Sequence, residues 1–448
     1  MERDVHVFSC RDLELVYDVN SGSLHQVDEL AGKIIRMLLD GHSREAIVLC
    51  LKDRFSIQTI RRVFEEIDAL IKDNLLFSPP VAGKDVYSRS YPVKALCLLV
   101  SQDCNLSCRY CFARGGHVPA LRKMTAEVGF CAVDFLLEHG KGSFREIDFF
   151  GGEPLLNLPV LRKIIQYGHQ RALAKGVQLT FTLTTNATLL TDENIEFLNN
   201  HGMSVVLSLD GRPEVHDMMR KNPSGAGSYD QVLKNIIKLL EGRNYSNYYI
   251  RGTYTKNNLD FSHDIEHLVG LGFNSISLEP VIASPGDHLA LDEEDLLNIE
   301  REYDRIVDLF ISKKKMGSPF SFYHFLVDLE QGPCLYKRIT GCGAGTEYIA
   351  VAADGSLYPC HQFAGNQAYY MGSIMQDPLT QTNPLVTTLY DSPRIHKECA
   401  LCWARFLCGY GCAAATLTQA GNLDTNHTLS CALQKMRLEK ALFLQAVQ

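Results

Sequence analysis

Three cysteines, Cys104, Cys108 and Cys111, follow directly on a short apolar run, ALCLLV (95–100), and constrain this chain more than any other feature. They belong to a set of fifteen cysteines in 448 residues, many of them clustered at short spacings. An odd count fits paired disulfides poorly. Short spacings in a chain without a secretory leader read as metal ligands. The opening MERDVHVFSC has no apolar leader segment, so the expected compartment is the cytoplasm. No stretch is apolar for long enough to span a bilayer, and a formal net charge of -8 gives nucleic acid no bulk attraction. Neither a membrane nor a nucleic-acid partner is expected.

The patterning divides the chain. Residues 1–77 read as a small α+β unit. VHVFS (5–9) and LELVYDV (13–19) alternate apolar and polar residues as half-buried strands do, and Asn20-Ser21-Gly22 is turn chemistry. Three helical patterns follow, capped by Asp28 and Ser43 in the first two; the third carries Ile60, Val63, Phe64, Ile67, Leu70 and Ile71. Residues 78–93, with Pro79-Pro80, read as a linker. From 94 to 315 strands alternate with helices. The expected strands are 95–100, 146–150, 178–185, 204–210, 248–255 and 275–280, with helical patterns at 126–139, 159–175, 191–201, 229–242 and 291–315. Six such βα-like units predict an α/β fold, a parallel sheet curved into a partial (β/α)6 barrel. In 316–448 the alternation fades and cysteine-rich segments take over.

Catalytic loops of such barrels follow the strands, and Cys104-x3-Cys108-x2-Cys111 follows the first. Three thiolates at this spacing can hold three irons of a cubane cluster and leave the fourth open to a ligand. Zinc is the alternative, but it usually takes four ligands, and no fourth stands close by. Gly151-Gly152-Glu153-Pro154 follows the second strand: the glycines let backbone approach a ligand, and Glu153 can accept from an ammonium. Asn186 ends the third strand, Ser208 and Asp210 end the fourth, and Arg220 follows; each could equally cap a helix or turn.

CxxxCxxC resembles the signature of the radical S-adenosylmethionine (SAM) superfamily. The resemblance implies a [4Fe–4S] cluster on Cys104, Cys108 and Cys111 whose open iron chelates the methionine end of SAM. It implies that the Gly151, Gly152 and Glu153 segment holds SAM's amino group. Asn186, Ser208, Asp210 and Arg220 would lie around its ribose and carboxylate, with Tyr110 against adenine. The later cysteines, Cys342-x12-Gly355-x4-Cys360 and then Cys399-x2-Cys402-x5-Cys408-x3-Cys412 and Cys431, resemble the SPASM pattern. That implies two further [4Fe–4S] clusters, one on Cys342, Cys360 and Cys412, the other on Cys399, Cys402, Cys408 and Cys431. A zinc ribbon is the competing reading. Two four-cysteine clusters and three active-site ligands need eleven cysteines, and Cys334 is the eleventh; the alternative, resembling some thioether-forming relatives, is a three-cysteine first auxiliary cluster with an iron left for the substrate thiol, with Cys334 a loop thiol near the site or a ligand only when the peptide is absent. Cys10, Cys50, Cys97 and Cys131 sit in apolar patterns and are expected as buried core thiols.

The N-terminal unit resembles PqqD-like peptide-recognition domains, which bind a leader peptide as an added strand. A small winged helix or a DNA reader is the alternative, and the missing basic patch counts against the latter. The order of the three parts resembles maturases of ribosomally made peptides, and GCGAGTEYIAVAADGSLYPCHQF (341–363) resembles the thioether-forming maturases of SCIFF-type, ranthipeptide and sactipeptide systems. The expected substrate is a cysteine-rich precursor peptide with a leader, and the expected electron donor a flavodoxin or ferredoxin. Carbon–carbon cross-linking, epimerisation and anaerobic sulfatase maturation are the alternatives. In sulfatase maturases an aspartate follows the Pro-Cys pair; here His361 follows Pro359-Cys360. A non-enzymatic iron–sulfur or peptide-binding protein would leave the GGEP segment after CxxxCxxC unexplained.

Overall fold

The computed structural model describes residues 4–80, 93–114, 122–140, 142–329, 341–376, 385, 397–423 and 428–447. Strands β1 (Val5–Cys10), β2 (Leu13–Asp18) and β3 (Leu24–Val27) form an antiparallel sheet in that order. Helices α1 (Glu29–Leu39), α2 (Arg44–Leu51) and α3 (Ile57–Lys72) follow. Asp28, Ser43 and Ser56 each accept a hydrogen bond from a backbone N–H of the helix they precede. That satisfies a donor the helix itself cannot.

The alternation in β1 and β2 sorts side chains to two cores rather than to core and solvent. Val5 and Val16 pack with Leu30, Ile34, Ile60 and Phe64 of the three helices. Phe8, Cys10, Leu15, Tyr17 and Val19 face the other way, into the core of the main body. These strands are therefore buried on both sides, not half-buried as the alternation suggests. Their polar residues are accommodated by pairing: His6 Nε2 lies 2.9 Å from Glu439 Oε1, and Arg36 donates to Glu14.

The body is a nine-stranded open sheet. Its centre is the expected six strands, β4 (Ala95–Ser101), β5 (Phe144–Gly151), β6 (Gln178–Thr185), β7 (Ser204–Ser208), β8 (Tyr248–Tyr254) and β9 (Ser275–Pro280), all parallel neighbours in sequence order. Between them run α4 (Ala126–His139), α5 (Leu158–Lys175), α6 (Asp192–Asn200), α7 (Pro213–Met219), α8 (Tyr229–Glu241) and α9 (Phe261–Gly270); α10 (Leu296–Lys315) comes after β9. The sheet does not stop at six strands. β10 (Ser321–Phe322) adds in parallel to β9, and β11 (Tyr348–Val351) adds in parallel to β4 and turns back into β12 (Leu357–Tyr358). The C-terminal part therefore continues the sheet at both edges.

Beyond β12 regular structure is sparse. Single helical turns at Lys397–Ala400 and Arg405–Cys408 precede α11 (Ala413–Ala420) and α12 (Thr428–Ala446). No described helix is long and apolar enough to cross a membrane.

Two of the four spare cysteines are buried as expected: Cys10 at 4% and Cys97 at 0% exposure. Cys50 is not. It is exposed on α2, whose buried face is the i, i+4 pair Ile47 and Leu51, so position 50 falls off that face. Cys131 is only partly buried.

Candidate active site

The loop after β4 carries Cys104, Cys108 and Cys111, and it is fixed from three sides. Gly152 N–H donates to Ser101 O at 2.7 Å and Glu153 N–H to Asp103 O at 2.9 Å, which lays the GGEP segment along the start of the loop. This contact explains the two glycines: a Cβ on Gly151, at φ +137°, would lie 2.0 Å from Ser101 O, and one on Gly152 2.4 Å from Asp103 O. Farther along, Ser107 N–H donates to Lys221 O and Arg109 N–H to Met219 O, tying the loop to the end of α7. On the third side Asn186 Nδ2 donates to Asn105 Oδ1 at 2.9 Å and reaches Cys104 Sγ at 3.6 Å. Asn105 in turn donates to Thr188.

Glu153 is fully buried. Its carboxylate accepts from Leu155 N–H, Thr185 Oγ1 and Asn186 N–H, at 3.1, 2.8 and 2.8 Å. Burial pushes this carboxyl up to about 7, against those three bonds. Its reach from the GGEP segment to the end of β6 locks two βα loops together. Asp210, also fully buried, accepts from Tyr110 Oη at 2.5 Å, Arg220 Nε at 3.0 Å and Thr253 N–H at 3.1 Å. The Arg220 guanidinium lies 5.4 Å from the centre of the Tyr110 ring. Tyr110, Asp210 and Arg220 thus form one network that anchors the third cysteine to the ends of β7 and α7. Ser208 ends β7 in register with Arg251. The residues expected around SAM lie on or in the loops after the carboxyl ends of β4 to β7, except Arg220, which follows α7 and reaches back to Asp210.

Three thiols on one loop, with no fourth cysteine or histidine among its described residues, suit a cubane with one open iron. Cys104 is exposed, Cys108 and Cys111 partly so. Burial raises the Cys108 thiol to about 11 although Arg220 opposes the shift. A bound metal would reverse that, because coordination deprotonates a thiol. The donor set, the glycine approach and the strand-end position all fit the cluster.

The later cysteines fall into two groups. Cys360 is raised to about 12 by burial, and it senses both Cys412 and Cys342. Cys408 senses Cys431 and Cys402, and Cys399 sits one turn before Cys402, whose N–H donates to Cys399 O. Gly341 and Gly409 meet backbone to backbone: a Cβ on Gly341, at φ +60°, would lie 2.5 Å from Gly409 O. Cys334 lies outside the described residues. No three His, Cys, Asp or Glu side chains among the described residues converge as a single metal ion needs.

The two ends of the site meet through aromatic rings. His361, next to Cys360, stacks on Phe150 at 4.4 Å between centroids and lies 5.6 Å from Phe112, the residue after Cys111. Three residues near this site were not signalled by motif: Asn105 and Thr188, which brace the cysteine loop, and Asp148 of β5, two residues before Phe150.

Comparison with known proteins agrees with this geometry. Residues 98–261 match the model of the radical SAM superfamily. An uncharacterized protein of Methanocaldococcus jannaschii is 30% identical over 217 residues, 48% of this chain and 71% of that protein. The cysteine-type anaerobic sulfatase-maturating enzyme of Clostridium perfringens is 25% identical, covering 72% of this chain and 89% of that one. The radical SAM cyclopropyl synthase TigE of Paramaledivibacter caminithermalis is 27% identical over 78% of this chain and 74% of its own. Among solved structures, native anSMEcpe with bound AdoMet superposes with a TM-score of 0.65 at 21% identity, over 80% of this chain and all of that one. Streptococcus suis SuiB bound to S-adenosylmethionine gives 0.57 at 16% identity, over 95% and 98%; its complex with precursor peptide SuiA gives 0.53. Enzymes of the superfamily bind SAM and a [4Fe–4S] cluster, for which Cys104, Cys108 and Cys111 are the fitting ligands here. By fold, by cysteine loop and by descent, this chain belongs to the radical SAM superfamily and is an enzyme of it.

Proposed function

We propose that the chain is a peptide maturase that forms thioether links, joining a cysteine sulfur of a ribosomally made precursor to a carbon of the same peptide. The observation that carries the reading is the aromatic bridge: Phe112, His361 and Phe150 connect the Cys104–Cys111 loop to Cys360. Radical formation and a second iron–sulfur centre would then share one chamber. Forming C–S from C–H and S–H is a two-electron oxidation, so a second electron acceptor beside the first centre is what the chemistry requires. The relatives named as peptide or protein modifiers, and SuiB's complex with a precursor peptide, support a peptide substrate.

When bound, the cluster and SAM supply a carbon radical that takes a hydrogen atom from the peptide. This chain's residues do the rest of the positioning. Glu153 holds Asn186 and Thr185 in place, Asp210 holds Tyr110 and Arg220, and the glycine segment brings backbone against the cysteine loop. Cys342, Cys360 and Cys412 would hold one auxiliary cluster, with Cys334 as the proposed fourth ligand; Cys399, Cys402, Cys408 and Cys431 would hold the other. Residues 1–77 would grip the leader along β3, an edge strand with one partner in its sheet.

Sulfatase maturation is the second reading, favoured by the Clostridium relative. The anSMEcpe likeness covers 80% of this chain and the SuiB likeness 95%, so the extra segment favours the peptide system. Mass spectrometry decides between them. A thioether product has lost two hydrogens per link, and its cysteines resist alkylation. An aldehyde reactive toward hydrazide would establish sulfatase-type chemistry. Two hydrogens lost with every cysteine alkylatable would establish a carbon–carbon link, and unchanged mass with product formation would establish epimerisation.

A further inference from the structure

We propose that Asp148 accepts the proton released by the substrate group oxidised in the chamber. This rests on the maturase reading and adds to it a residue that no motif names. Asp148 lies on β5, opposite Cys97 of β4 and Thr182 of β6. Strand alternation puts Ile147 and Phe149 in the core at 0% exposure, and turns Glu146, Asp148 and Phe150 to the other side. Phe150 is the ring that stacks on His361, so Asp148 stands one strand step below the bridge between the two cysteine regions.

The carboxylate is poorly accommodated by its own fold. Among the described residues Oδ1 has no hydrogen-bond partner and is closed to solvent. Oδ2 has only a long bond from Tyr348 Oη, at 3.4 Å. The residue as a whole is only partly buried. Rotation about a carboxylate's χ2 is soft, so either oxygen can turn to an incoming donor. The charged and titratable groups facing it are Glu146 on its own strand, Cys97 on β4, Tyr348 on β11, and Arg251 and Tyr249 on β8. Among the described residues Arg251 is the cation that acts on Asp148, and it lies 3.8 Å from Glu279. Glu146 is already engaged by Thr182 Oγ1 at 2.6 Å. What sets Asp148 apart is that one of its carboxylate oxygens, Oδ1, is buried with no partner among the described residues. Burial and then Glu146 push it up to about 7, with Tyr348 and Arg251 opposing. A base works best when its pKa lies near the working pH.

The step balances. The C–H bond breaks and its hydrogen atom goes to the radical. The S–H bond breaks and its proton goes to the Asp148 carboxylate, which becomes a carboxylic acid. The C–S bond forms, and the remaining electron passes to an oxidised iron–sulfur centre. Buried polar groups without partners are rare in folded proteins and ask for an explanation; proton transfer supplies one.

The test is Asp148→Asn in the cluster-loaded full chain, with two readouts. The first is the melting temperature from pH 5 to 8.5, without peptide. The unfolded Asp ionises near its ordinary value and the folded one only near 7. Wild-type stability should therefore fall as pH rises through that window, whereas Asn does not titrate. The variant should melt higher than wild type, with a gap that widens up to about pH 7.5. A variant melting at or below wild type at pH 8 would show a structural carboxylate and overturn the proposal. The second readout is turnover of a precursor peptide that carries a leader and several cysteines. Product formation should drop about 100-fold or more, and the wild-type rise in rate around pH 7 should vanish. The 5′-deoxyadenosine released per product should climb. Product formed at the wild-type rate with the same pH profile would sink the assignment. If wild type itself leaves the peptide unmodified, the proposed function fails, and the melting curves still judge whether Asp148 is held against stability.

Discussion

The two cysteine regions of this molecule are built in opposite ways. The Cys104–Cys111 loop leaves a seven-residue strand, β4, and is held by backbone bonds to the GGEP segment and to α7, and by the Asn186 side chain. Beneath it lie buried Glu153 and Asp210, each accepting three hydrogen bonds. Most of the later cysteines stand among short strands, single helical turns and glycines at positive φ, including Gly341, Gly343, Gly409 and Gly411, although Cys412 precedes α11 and Cys431 lies within α12. Burial in the protein raises the Cys360 and Cys408 thiols first, and neighbouring thiols add to it. The first region is ordered by the protein. If the second binds the proposed auxiliary clusters, they would supply crosslinks that strands and helices supply elsewhere, as in small metal-dependent domains.

That contrast can be broken most severely at the first loop. Replacing Cys104, Cys108 and Cys111 together with alanine should abolish 5′-deoxyadenosine formation. It should move the melting temperature by only about 2–4 °C, the size of a ~1 kcal/mol change in a large domain. A triple variant that still cleaves SAM would refute the assignment. One that fails to fold would refute the idea that the protein orders this loop.

Stripping iron from the intact protein should act in the other direction. Proteolysis should then cut within 397–423 long before it cuts between β4 and β9, because cleavage follows the population of locally opened chain. Equal protection of both regions after iron loss would erase the distinction.

Within the first region, Asp210→Asn should be the most damaging single change to the scaffold. It leaves Arg220, which is 9% exposed, as a buried charge without its carboxylate. Breaking a buried pair by removing one partner costs about 3–5 kcal/mol. Chemical denaturation would read this directly. A loss under about 1 kcal/mol would mean that Tyr110 and Arg220 find other partners, since that is the scale of an ordinary hydrogen bond.

What the sequence disclosed follows the same division. The central strands were legible because those buried on both faces write continuous apolar runs such as ALCLLV, and those buried on one face write alternation such as QLTFTLTT. β10, β11 and β12 were not. Two to four residues carry no period, and β11 joins β4 across some 250 residues of chain, a pairing no local pattern encodes. Asp148 was overlooked although a signal existed: EIDFF places two carboxylates, at 146 and 148, on one side of a strand otherwise apolar. The exposure of Cys50 was misjudged because an apolar neighbourhood was read without the helix phase, which puts Ile47 and Leu51 inward and position 50 outward.

The smallest expected effect lies where the two ends of the chain meet. Trp403, next to Cys402 and the single tryptophan of the protein, stacks on His6 of β1 with centroids 4.0 Å apart and planes within 2°. Arg405, two residues on, donates to Asp4 at 2.5 Å and to Asn20 at 3.1 Å. The N-terminal sheet is thus docked directly on the Cys399–Cys408 segment. If that segment is shaped by its metal, the docking should report it. His6→Ala removes one aromatic partner, worth about 0.5–1.5 kcal/mol, and should shift Trp403 emission without changing iron content. Iron removal from wild type should produce a larger shift of the same emission, because it loosens the whole segment rather than one contact. Identical spectra before and after iron removal would mean that the clamp through Trp403 and Arg405 holds the segment unaided. The second cysteine region would then be as well ordered by the protein as the first.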